Sequence, residues 1–439
     1  MYPELPHRTP LLSHFIDKWA VDTPGKVAVI QAEEGKQWMY RQLTQHIDVF
    51  AQRLLQAEVA VGDRVVGTLS DTPEQVALMW ACWKVGAVFV PAEVQYFHKN
   101  MGYLISHLEP KAFFLSHQAA RILHHKGQNL TDPNTAWIMV PKGKFPAPQI
   151  PGLQTFRPKR YLSRLNFSKK SYLSTLPKRQ KNIHAWSPVL ILPPSIDNHR
   201  SAPLMLCMDT LFAQMTALNH YLNIDKHNKT LAFHPFESMI SLIHQVISPL
   251  LMGGTTILTH ATRPQEWRSL IGRYHVNTLW MEGKLPKPLI PSPSHFTSLQ
   301  HVIAAHPPYE QVKTAPMKEF HNLLHVNGLF LPETGGIFAI QSPRNPQLFI
   351  PQCRVSIRQP MSPSGKDGRE CDAGKTGILC IHPPMVFSGF LQKNGISTPK
   401  VSKDGLYYTD IQAALHQEEG QTYLKVLPSK TTSNQLFAA

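Results

Sequence analysis

The segment Gly62–Pro91 most narrows the folds open to this chain, because it indicates a strand, a helix and a second strand in close succession. The apolar run Val65–Leu69 lies between a Gly-Asp pair and a polar turn, which is typical of a buried parallel strand. Asp71 or Thr72 can cap the following helix, Pro73 suits its first turn, and the next glycine ends it. Another apolar run follows directly, so the order predicts an α/β unit with parallel strands.

Further segments extend this pattern over most of residues 20–430. They are Trp38–Val66, Asn100–Phe114, Thr230–Leu258, Ser298–Pro307, Asn327–Phe338, Gly374–Leu391 and Gly405–Asp410. In this order they resemble the adenylate-forming superfamily, which includes acyl-CoA synthetases, non-ribosomal peptide adenylation domains and luciferases. A single strand-helix-strand unit occurs in many folds, whereas the succession of several matches is much more specific.

The resemblance implies an α/β fold that corresponds to the superfamily's N-terminal domain, with two sheet-and-helix subdomains and a small distorted β-barrel. We expect the first subdomain at 1–190, with a basic, proline-rich insertion at 133–186, and the second at 191–345. The barrel is expected at 346–430 and a tail at 431–439. The superfamily's C-terminal lid domain, which carries a catalytic lysine, is expected to be absent.

The phosphate-binding loop of the superfamily is rich in glycine, serine and threonine, because backbone N–H groups converge on phosphates only where several residues adopt positive φ. At the matching place this chain has Pro193-Pro194 and Asp197, and it has no glycine anywhere between residues 153 and 252. Proline lacks an N–H group, and the aspartate places negative charge beside the triphosphate. By resemblance, Ser195 and Arg200 are vestigial nucleotide contacts.

The other nucleotide contacts that the resemblance implies are mixed. Glu333 matches a glutamate that helps to hold Mg²⁺, Thr334 continues that motif, and Asp410 matches the residue that binds the ribose hydroxyls. Leu329 replaces an aromatic residue that would stack on adenine, and Pro332 replaces a threonine. Glu333 and Asp410 are equally explained as structural residues. ATP and Mg²⁺ therefore remain candidate ligands, no cofactor is certain, and no catalytic residue is assigned.

These features favour an AMP-binding, acyl-CoA synthetase-like protein that is catalytically impaired and serves as a binding module in fatty-acid, polyketide or secondary metabolism. Its ancestral reaction class is ATP-dependent acid–thiol ligation, and whether it is still an enzyme is left open. One alternative is an active short ligase that acquires its lid domain from another protein. Another is a membrane-associated scaffold. The residues that the resemblance places at an acyl pocket, or equally in a filled core, are Phe236, Ser238, Met239 and Trp280.

The charge distribution points to an acidic partner. The chain has a formal net charge of +15, and no Asp or Glu occurs from Pro133 to Ile196. An acyl or peptidyl carrier protein is the partner that the resemblance favours, because such proteins are acidic and are steered to basic surfaces. No nucleic-acid recognition element is present, whereas peripheral membrane contact through a basic amphipathic helix stays open. The candidate partner-binding residues are Lys169, Lys170, Lys178, Arg179 and Lys181.

Composition predicts a cytoplasmic location. No apolar run of about twenty residues predicts a membrane span, and the first residues lack the basic and apolar regions of a secretory signal. The five cysteines are odd in number and lack metal-type spacing, as do the 23 histidines. Reduced cysteines and structural histidines are the expected outcome.

Overall fold

The computed structural model describes most of the chain and confirms the α/β class. The described residues are 11–142, 147–162, 176, 179–194, 202–283, 298–306, 324–342, 345–349, 355–362, 364, 366–383, 386–392, 395–397, 401–403, 405–418 and 421–427. They form two sheets rich in parallel strands, with helices packed on them and an antiparallel region toward the C-terminal side.

The strands are numbered in chain order. They are β1 (Val27–Gln31), β2 (Lys36–Met39), β3 (Arg64–Thr68), β4 (Val88–Pro91), β5 (Ala112–Ser116), β6 (Ala136–Val140), β7 (Leu153–Thr155), β8 (Pro188–Leu192), β9 (Leu204–Cys207), β10 (Lys229–Ala232), β11 (Thr255–Leu258), β12 (Thr278–Glu282), β13 (His301–His306), β14 (Leu324–Leu331), β15 (Gly336–Ser342), β16 (Asn345–Phe349), β17 (Val355–Arg358), β18 (Gly377–Ile381), β19 (Gly389–Gln392), β20 (Gly395–Ser397), β21 (Tyr407–Glu418) and β22 (Gln421–Val426).

The α-helices are α1 (Leu12–Asp22), α2 (Tyr40–Gln56), α3 (Pro73–Val85), α4 (Val94–Leu108), α5 (His117–His125), α6 (Pro158–Leu162), α7 (Met208–Tyr221), α8 (Ser248–Leu251) and α9 (Pro264–Tyr274). A π-helix, Ile240–Ile247, runs directly into α8, and a 3₁₀ turn, Pro332–Thr334, joins β14 to β15. None of the helices in the described part of the chain is long and apolar enough to cross a membrane.

The smaller sheet has the strand order β20-β19-β9-β8-β4-β3-β5-β6-β7. The strands from β3 to β8 pair in parallel, whereas β9, β19 and β20 are antiparallel to their neighbours. The predicted unit lies at its centre and is confirmed. The side chain of Thr72 accepts a hydrogen bond from Gln75 N at 3.3 Å and so caps α3. Gly86 ends α3 at a φ of +87°, which glycine adopts without a Cβ clash.

The larger sheet has the order β17-β18-β21-β22-β16-β15-β14-β13-β12-β10-β11-β1-β2. Strands β1, β11, β10, β12, β13 and β14 pair in parallel, and β2 pairs antiparallel with β1. Strands β15, β16, β17, β18, β21 and β22 pair antiparallel with their neighbours. The antiparallel strands lie where the small barrel was predicted, and they continue the large sheet.

The two sheets exchange strands across the predicted domain boundaries. Strand β1 pairs with β11 in the larger sheet, and β2 pairs with β1 at its edge, although both strands precede the smaller sheet in sequence. Strands β19 and β20 return to the smaller sheet beside β9. The divisions at residues 190, 345 and 430 therefore stay predictions, and the two sheets do not follow them strictly.

A continuous apolar core joins the sheets through α1, α2 and α3. Helix α3 is buried on every side, because it contacts α1, α2 and the smaller sheet. Its one buried cation, Lys84, is paired with Asp17 of α1 and Asp48 of α2. One buried carboxylate, Asp48, and one partly exposed carboxylate, Asp17, balance the ammonium group, so the pairing connects three helices.

Candidate functional site

The turn between β14 and β15 places Glu333 at the centre of the candidate site. Pro332–Thr334 form a single 3₁₀ turn after a strand, and Gly335 follows at a φ of +76°. Thr334 is buried, and its hydroxyl donates to Leu331 O at 2.8 Å. Because this hydroxyl is engaged by the backbone, Thr334 stabilises the turn, and the role in nucleotide binding predicted for it stays a prediction.

Two helices, α7 and the π-helix, pack against this turn. A Cβ atom added to Gly335 would lie 3.2 Å from Thr210 of α7. A Cβ atom on Gly336, whose φ is +153°, would lie 2.8 Å from His244 Nε2 and 3.0 Å from Gln214 Nε2. The glycines thus let the Glu333 turn approach α7 and the π-helix closely, which a residue with a side chain would prevent.

The segment before β19 connects the Glu333 turn to Asp410. Phe387 N donates to Glu333 O at 2.8 Å, and the Phe387 ring contacts the Tyr407 ring at a centroid distance of 5.2 Å. Tyr407 begins β21, on which Asp410 is exposed. The structure therefore links the elements that carry Glu333 and Asp410, and the roles of both residues stay predictions.

The predicted acyl-pocket residues lie on two neighbouring elements. Phe236, Ser238 and Met239 precede the π-helix, and Trp280 lies on β12. All four side chains are buried, and the hydroxyl of Ser238 donates to a carboxylate oxygen of Glu282. Phe236 and Met239 belong to the main apolar core, so these two positions also fit the filled-core interpretation.

His244 belongs to the π-helix, and its side chain packs against β12. Its ring stacks on the Trp280 ring at a centroid distance of 4.3 Å and an interplanar angle of 17°. The side chain is 1% exposed, and burial lowers the pKa of His244 to about 3. The imidazole is therefore neutral at neutral pH. Neighbouring Gln245 donates from Nε2 to Trp280 O at 2.7 Å and secures the π-helix to β12.

A group of carboxylates joins the loops that follow the parallel strands. Asp71, after β3, accepts a hydrogen bond from Phe236 N at 3.2 Å and lies 3.8 Å from His260 Nδ1. Burial and the charges of neighbouring Glu93 and Glu237 raise the pKa of Asp71 to about 8. Ligands of open α/β folds bind at the carboxyl ends of strands. The contacts of Asp71 lie at that edge of the sheet.

The resemblance implies a glycine-rich adenine turn at residues 304–306, but the structure has strand β13 there. Ala304, Ala305 and His306 are buried strand residues of β13, and His306 pairs with Leu329 of β14. The Leu329 side chain is 2% exposed and packs in the main core. Leu329 therefore offers no exposed surface on which a base could stack.

Several predicted site residues lie outside the described residues. These are Ser195, Arg200, Lys169, Lys170 and Lys178. The strands that flank the predicted phosphate loop are described, and they pair antiparallel, with Leu192 opposite Leu204.

Of the remaining partner-binding candidates, Lys181 is exposed, whereas Arg179 is half-buried and donates from Nη1 to Val59 O at 2.8 Å. Arg179 thus contributes to structure. Nearby Trp186 is 69% exposed and stacks on His184 at a centroid distance of 4.6 Å. An exposed tryptophan beside a lysine-rich segment adds an apolar anchor that the charge pattern alone did not indicate.

Within the described ranges, no group of three or more His, Cys, Asp or Glu residues is arranged to hold a metal ion. Mg²⁺ usually requires one or two carboxylates together with phosphate oxygens. Glu333 by itself therefore fits Mg²⁺ only as a companion of bound phosphates. The cysteines 82, 207, 371 and 380 are free thiols.

Sequence reasoning missed His244, Gln214 and Asp71. A single histidine within an apolar run is ordinarily a core residue, and nothing local marks the π-helical turn that directs it toward Trp280. The polar residues within otherwise apolar segments, such as Gln214 and Gln245, were the available signal.

Comparisons with known proteins agree with this geometry. Residues 16–192 match the model of the AMP-binding enzyme family. The structure is similar to that of a putative long-chain-fatty-acid CoA ligase from Rhodopseudomonas palustris, with a TM-score of 0.71 and 14% identity over 96% of this chain and 100% of that chain.

Two other solved structures are similar. Apo MatB from Rhodopseudomonas palustris has a TM-score of 0.70 and 18% identity, covering 96% of this chain and 78% of that chain. The N-terminal domain of FACL13 from Mycobacterium tuberculosis has a TM-score of 0.66 and 15% identity, covering 95% of this chain and 100% of that domain. At identities this low, the structural similarity establishes the shared fold alone.

Two curated relatives match short segments. The hybrid PKS-NRPS synthetase mycA of Thermothelomyces thermophilus is 36% identical over 80 residues, which is 18% of this chain. The hybrid PKS-NRPS synthetase pydA of Acremonium sp is 26% identical over 104 residues, which is 24% of this chain. Each match spans 2% of the relative's length.

Proposed function

The chain has the N-terminal-domain fold of the adenylate-forming superfamily, and from this premise we propose that it is an acyl-CoA synthetase-like protein with impaired ATP chemistry. In this proposal it binds an acyl or aryl carboxylate in the pocket region between the π-helix and β12. It presents that ligand, or the surface beside it, to another protein of fatty-acid, polyketide or secondary metabolism.

The observation that carries the proposal is the composition of the loop between β8 and β9. The segment contains three prolines and no glycine, and glycine is absent from residue 153 to residue 252. A phosphate cradle needs converging N–H groups, and most residues with a Cβ adopt the required positive φ only at an energetic cost. Loss of preorganised donors at a reacting phosphate reduces rates by orders of magnitude.

The adenine region supports the same conclusion. Leu329 is packed in the core, and the β13 residues that match the adenine turn are paired in the sheet. Stacking on a base and close backbone approach are both disfavoured there. The protein keeps Glu333 and Asp410, but these two carboxylates do not replace the contacts to base and phosphate.

Calorimetry with MgATP tests the proposal directly. We expect no heat of binding at nucleotide concentrations up to about millimolar, which corresponds to a binding free energy weaker than about −4 kcal/mol. Micromolar binding that is lost in Glu333→Gln or Asp410→Ala would instead support an active ligase. The matched control is Glu109→Gln, a carboxylate whose side chain is 81% exposed. Formation of acyl-AMP from a carboxylate panel would contradict the proposal even if nucleotide binding were weak.

A carrier protein is the partner that we propose. The basic segment, exposed Lys181 and exposed Trp186 would together offer charge and an apolar anchor to an acidic surface. The weak similarity to hybrid PKS-NRPS synthetases is compatible with such a partner. The described apolar residues of the insertion favour a protein partner over a membrane, because Tyr161, Leu162 and Leu176 pack against the core.

The carrier hypothesis is tested by reversing charge without disturbing Arg179. The variant carries Lys169→Glu, Lys170→Glu, Lys178→Glu and Lys181→Glu. We expect at least tenfold weaker binding to an acidic acyl carrier protein, and a weaker dependence on salt. The control carries the same charge change on exposed lysines elsewhere, namely Lys99, Lys226, Lys375 and Lys425. Equal binding by both variants would exclude this surface, and loss of vesicle binding in the first variant alone would favour the membrane scaffold.

A further inference from the structure

His244 combines nearly complete burial with a lack of hydrogen bonds. The side chain is 1% exposed, and neither Nδ1 nor Nε2 has a hydrogen-bond partner within the described part of the chain. A buried polar atom that lacks a partner costs about 1–3 kcal/mol, and such atoms are rare in native proteins. A histidine held in this state is therefore a candidate for binding a group that completes its hydrogen bonds.

Three neighbours share this condition. Trp280 Nε1, Gln214 Oε1 and Gln245 Oε1 are also buried without a partner among the described residues. Trp280 stacks on the His244 ring, and Gln245 is the next residue of the π-helix. Gln214 of α7 lies beside Gly336, as His244 does. We call these four residues the His244 cluster. A single unpaired polar atom is easily a local irregularity, whereas five such atoms on four residues of adjoining elements indicate a shared role.

The chemistry of the His244 cluster selects an uncharged group. The cluster holds no cation, because the buried imidazole is neutral at pH 7. A neutral imidazole offers one donor and one acceptor, the indole N–H is a donor, and the two amide oxygens are acceptors. A carboxylate would lack a counter-charge here, whereas a hydroxyl or carboxamide can donate and accept.

The backbone is also unusual at this point. His244 lies on a π-helix of eight residues, and π-helical turns are frequent at functional sites. Across from it, Gly336 has no side chain, so that the Glu333 turn and the imidazole come close together. The His244 cluster is thus adjacent to the turn that anchors the candidate site.

We infer that the His244 cluster binds a hydroxyl or carboxamide group of the acyl or aryl ligand and so determines which carboxylates the protein accepts. This inference rests on the proposed function, since it specifies a part of the same ligand. It assigns His244, Gln214 and Trp280 a role in specificity and none in chemistry.

Matched ligand pairs test the inference by calorimetry. The pairs are hexanoate with 6-hydroxyhexanoate, hexanoate with 5-carbamoylpentanoate, and 3-phenylpropanoate with 3-(4-hydroxyphenyl)propanoate. We expect the polar member of at least one pair to bind ten times more tightly or better, because a site built for a hydroxyl discriminates strongly against its absence. In His244→Leu that ratio should fall to about threefold or less. Equal binding within every pair, or an unchanged ratio in the variant, would overturn the inference.

A stability measurement decides the inference even if no carboxylate binds, an outcome that would contradict the proposed function itself. In the ligand-free protein, His244→Leu removes two unpaired polar atoms and should leave the melting temperature unchanged or raise it. The control is His46→Leu. His46 is also buried and stacks on Trp38 at 3.8 Å, but its Nδ1 lies 2.8 Å from Gln42 O. We expect the control to lower the melting temperature by several degrees. An equal decrease in both variants would mean that His244 is satisfied in the free protein, for example by buried water, and would refute the inference.

Discussion

The ammonium group of Lys84 lies 2.9 Å from Asp48 Oδ1, and both side chains are only 7% exposed. Asp17 Oδ1, on α1, lies 3.0 Å from the same ammonium group, and the Asp17 side chain is more exposed. Although burial by itself lowers the pKa of Lys84, the charges of Asp48 and Asp17 outweigh it, so the pKa is raised. The cation is therefore held in place by its partners, and three helices depend on it.

Removal of this cation should destabilise the protein strongly. We expect Lys84→Met to lower the free energy of unfolding by about 3–5 kcal/mol, because it leaves a buried carboxylate without a counter-charge. Urea denaturation of the two proteins measures the difference. Lys142→Met is the control, since that lysine pairs with Glu34 while 67% exposed and should cost about 1 kcal/mol or less. A further change of Asp48 to Leu in the Lys84→Met background should restore part of the loss, and no recovery would contradict the explanation.

The effect of His244 on the stability of the protein should depend on pH. Its pKa is about 3 in the folded protein and about 6.5 when unfolded, so the unfolded chain binds more protons between these values. With respect to this group, the free energy of unfolding is therefore highest above pH 6.5 and decreases as the pH falls toward 3. Between pH 7 and pH 5 we expect the wild-type protein to lose about 2 kcal/mol relative to His244→Leu. Parallel denaturation curves at the two pH values measure this difference, and curves that shift equally would contradict a neutral buried imidazole.

Asp71 should have the opposite pH dependence. Its pKa is about 8 in the folded protein against 3.8 for an ordinary aspartate, so the folded state binds more protons between these values. With respect to Asp71, the free energy of unfolding is therefore highest below pH 3.8 and decreases as the pH rises toward 8. Asp71→Asn, which keeps the shape, should therefore raise the melting temperature at pH 8.5 more than at pH 5.5. Glu109→Gln, at an exposed position, should show no such trend.

The close approach at Gly336 should not tolerate a methyl group. We expect Gly336→Ala to destabilise the protein by about 1–3 kcal/mol, because the new Cβ would lie 2.8 Å from His244 Nε2 and the backbone has a positive φ. Thermal denaturation measures the loss. The control is Gly272→Ala within α9, where nothing lies within 4 Å of the added Cβ and a small gain is expected. Combining Gly336→Ala with His244→Ala should recover part of the loss, and strict additivity would argue against contact.

Local pattern was sufficient for the central unit of the fold. The predicted strand at 65–69 is observed at Arg64–Thr68, and the predicted helix begins at Pro73 and ends before Gly86. Cap, proline and glycine act within a few residues of each other, so their effects are visible in the sequence. The continuous apolar segments also predicted strands buried on both faces.

Long-range pairing was outside the reach of these patterns. The sequence of β1 and β2 indicates two short strands, but β11, the strand that joins β1 to the larger sheet, lies more than two hundred residues later. The choice between sheets depends on which elements bury a shared apolar surface, and no short segment encodes that.

The candidate site divides in the same way. Its chemical types, a carboxylate at Glu333, another at Asp410 and a loop without glycine, are properties of the sequence alone. Tertiary structure alone decided that Leu329 is buried, that His244 stacks on Trp280, and that Asp71 accepts from Phe236 N. The physical reason is that residue type sets which bonds a group is able to make, whereas burial and neighbours from distant segments set its charge and its partner.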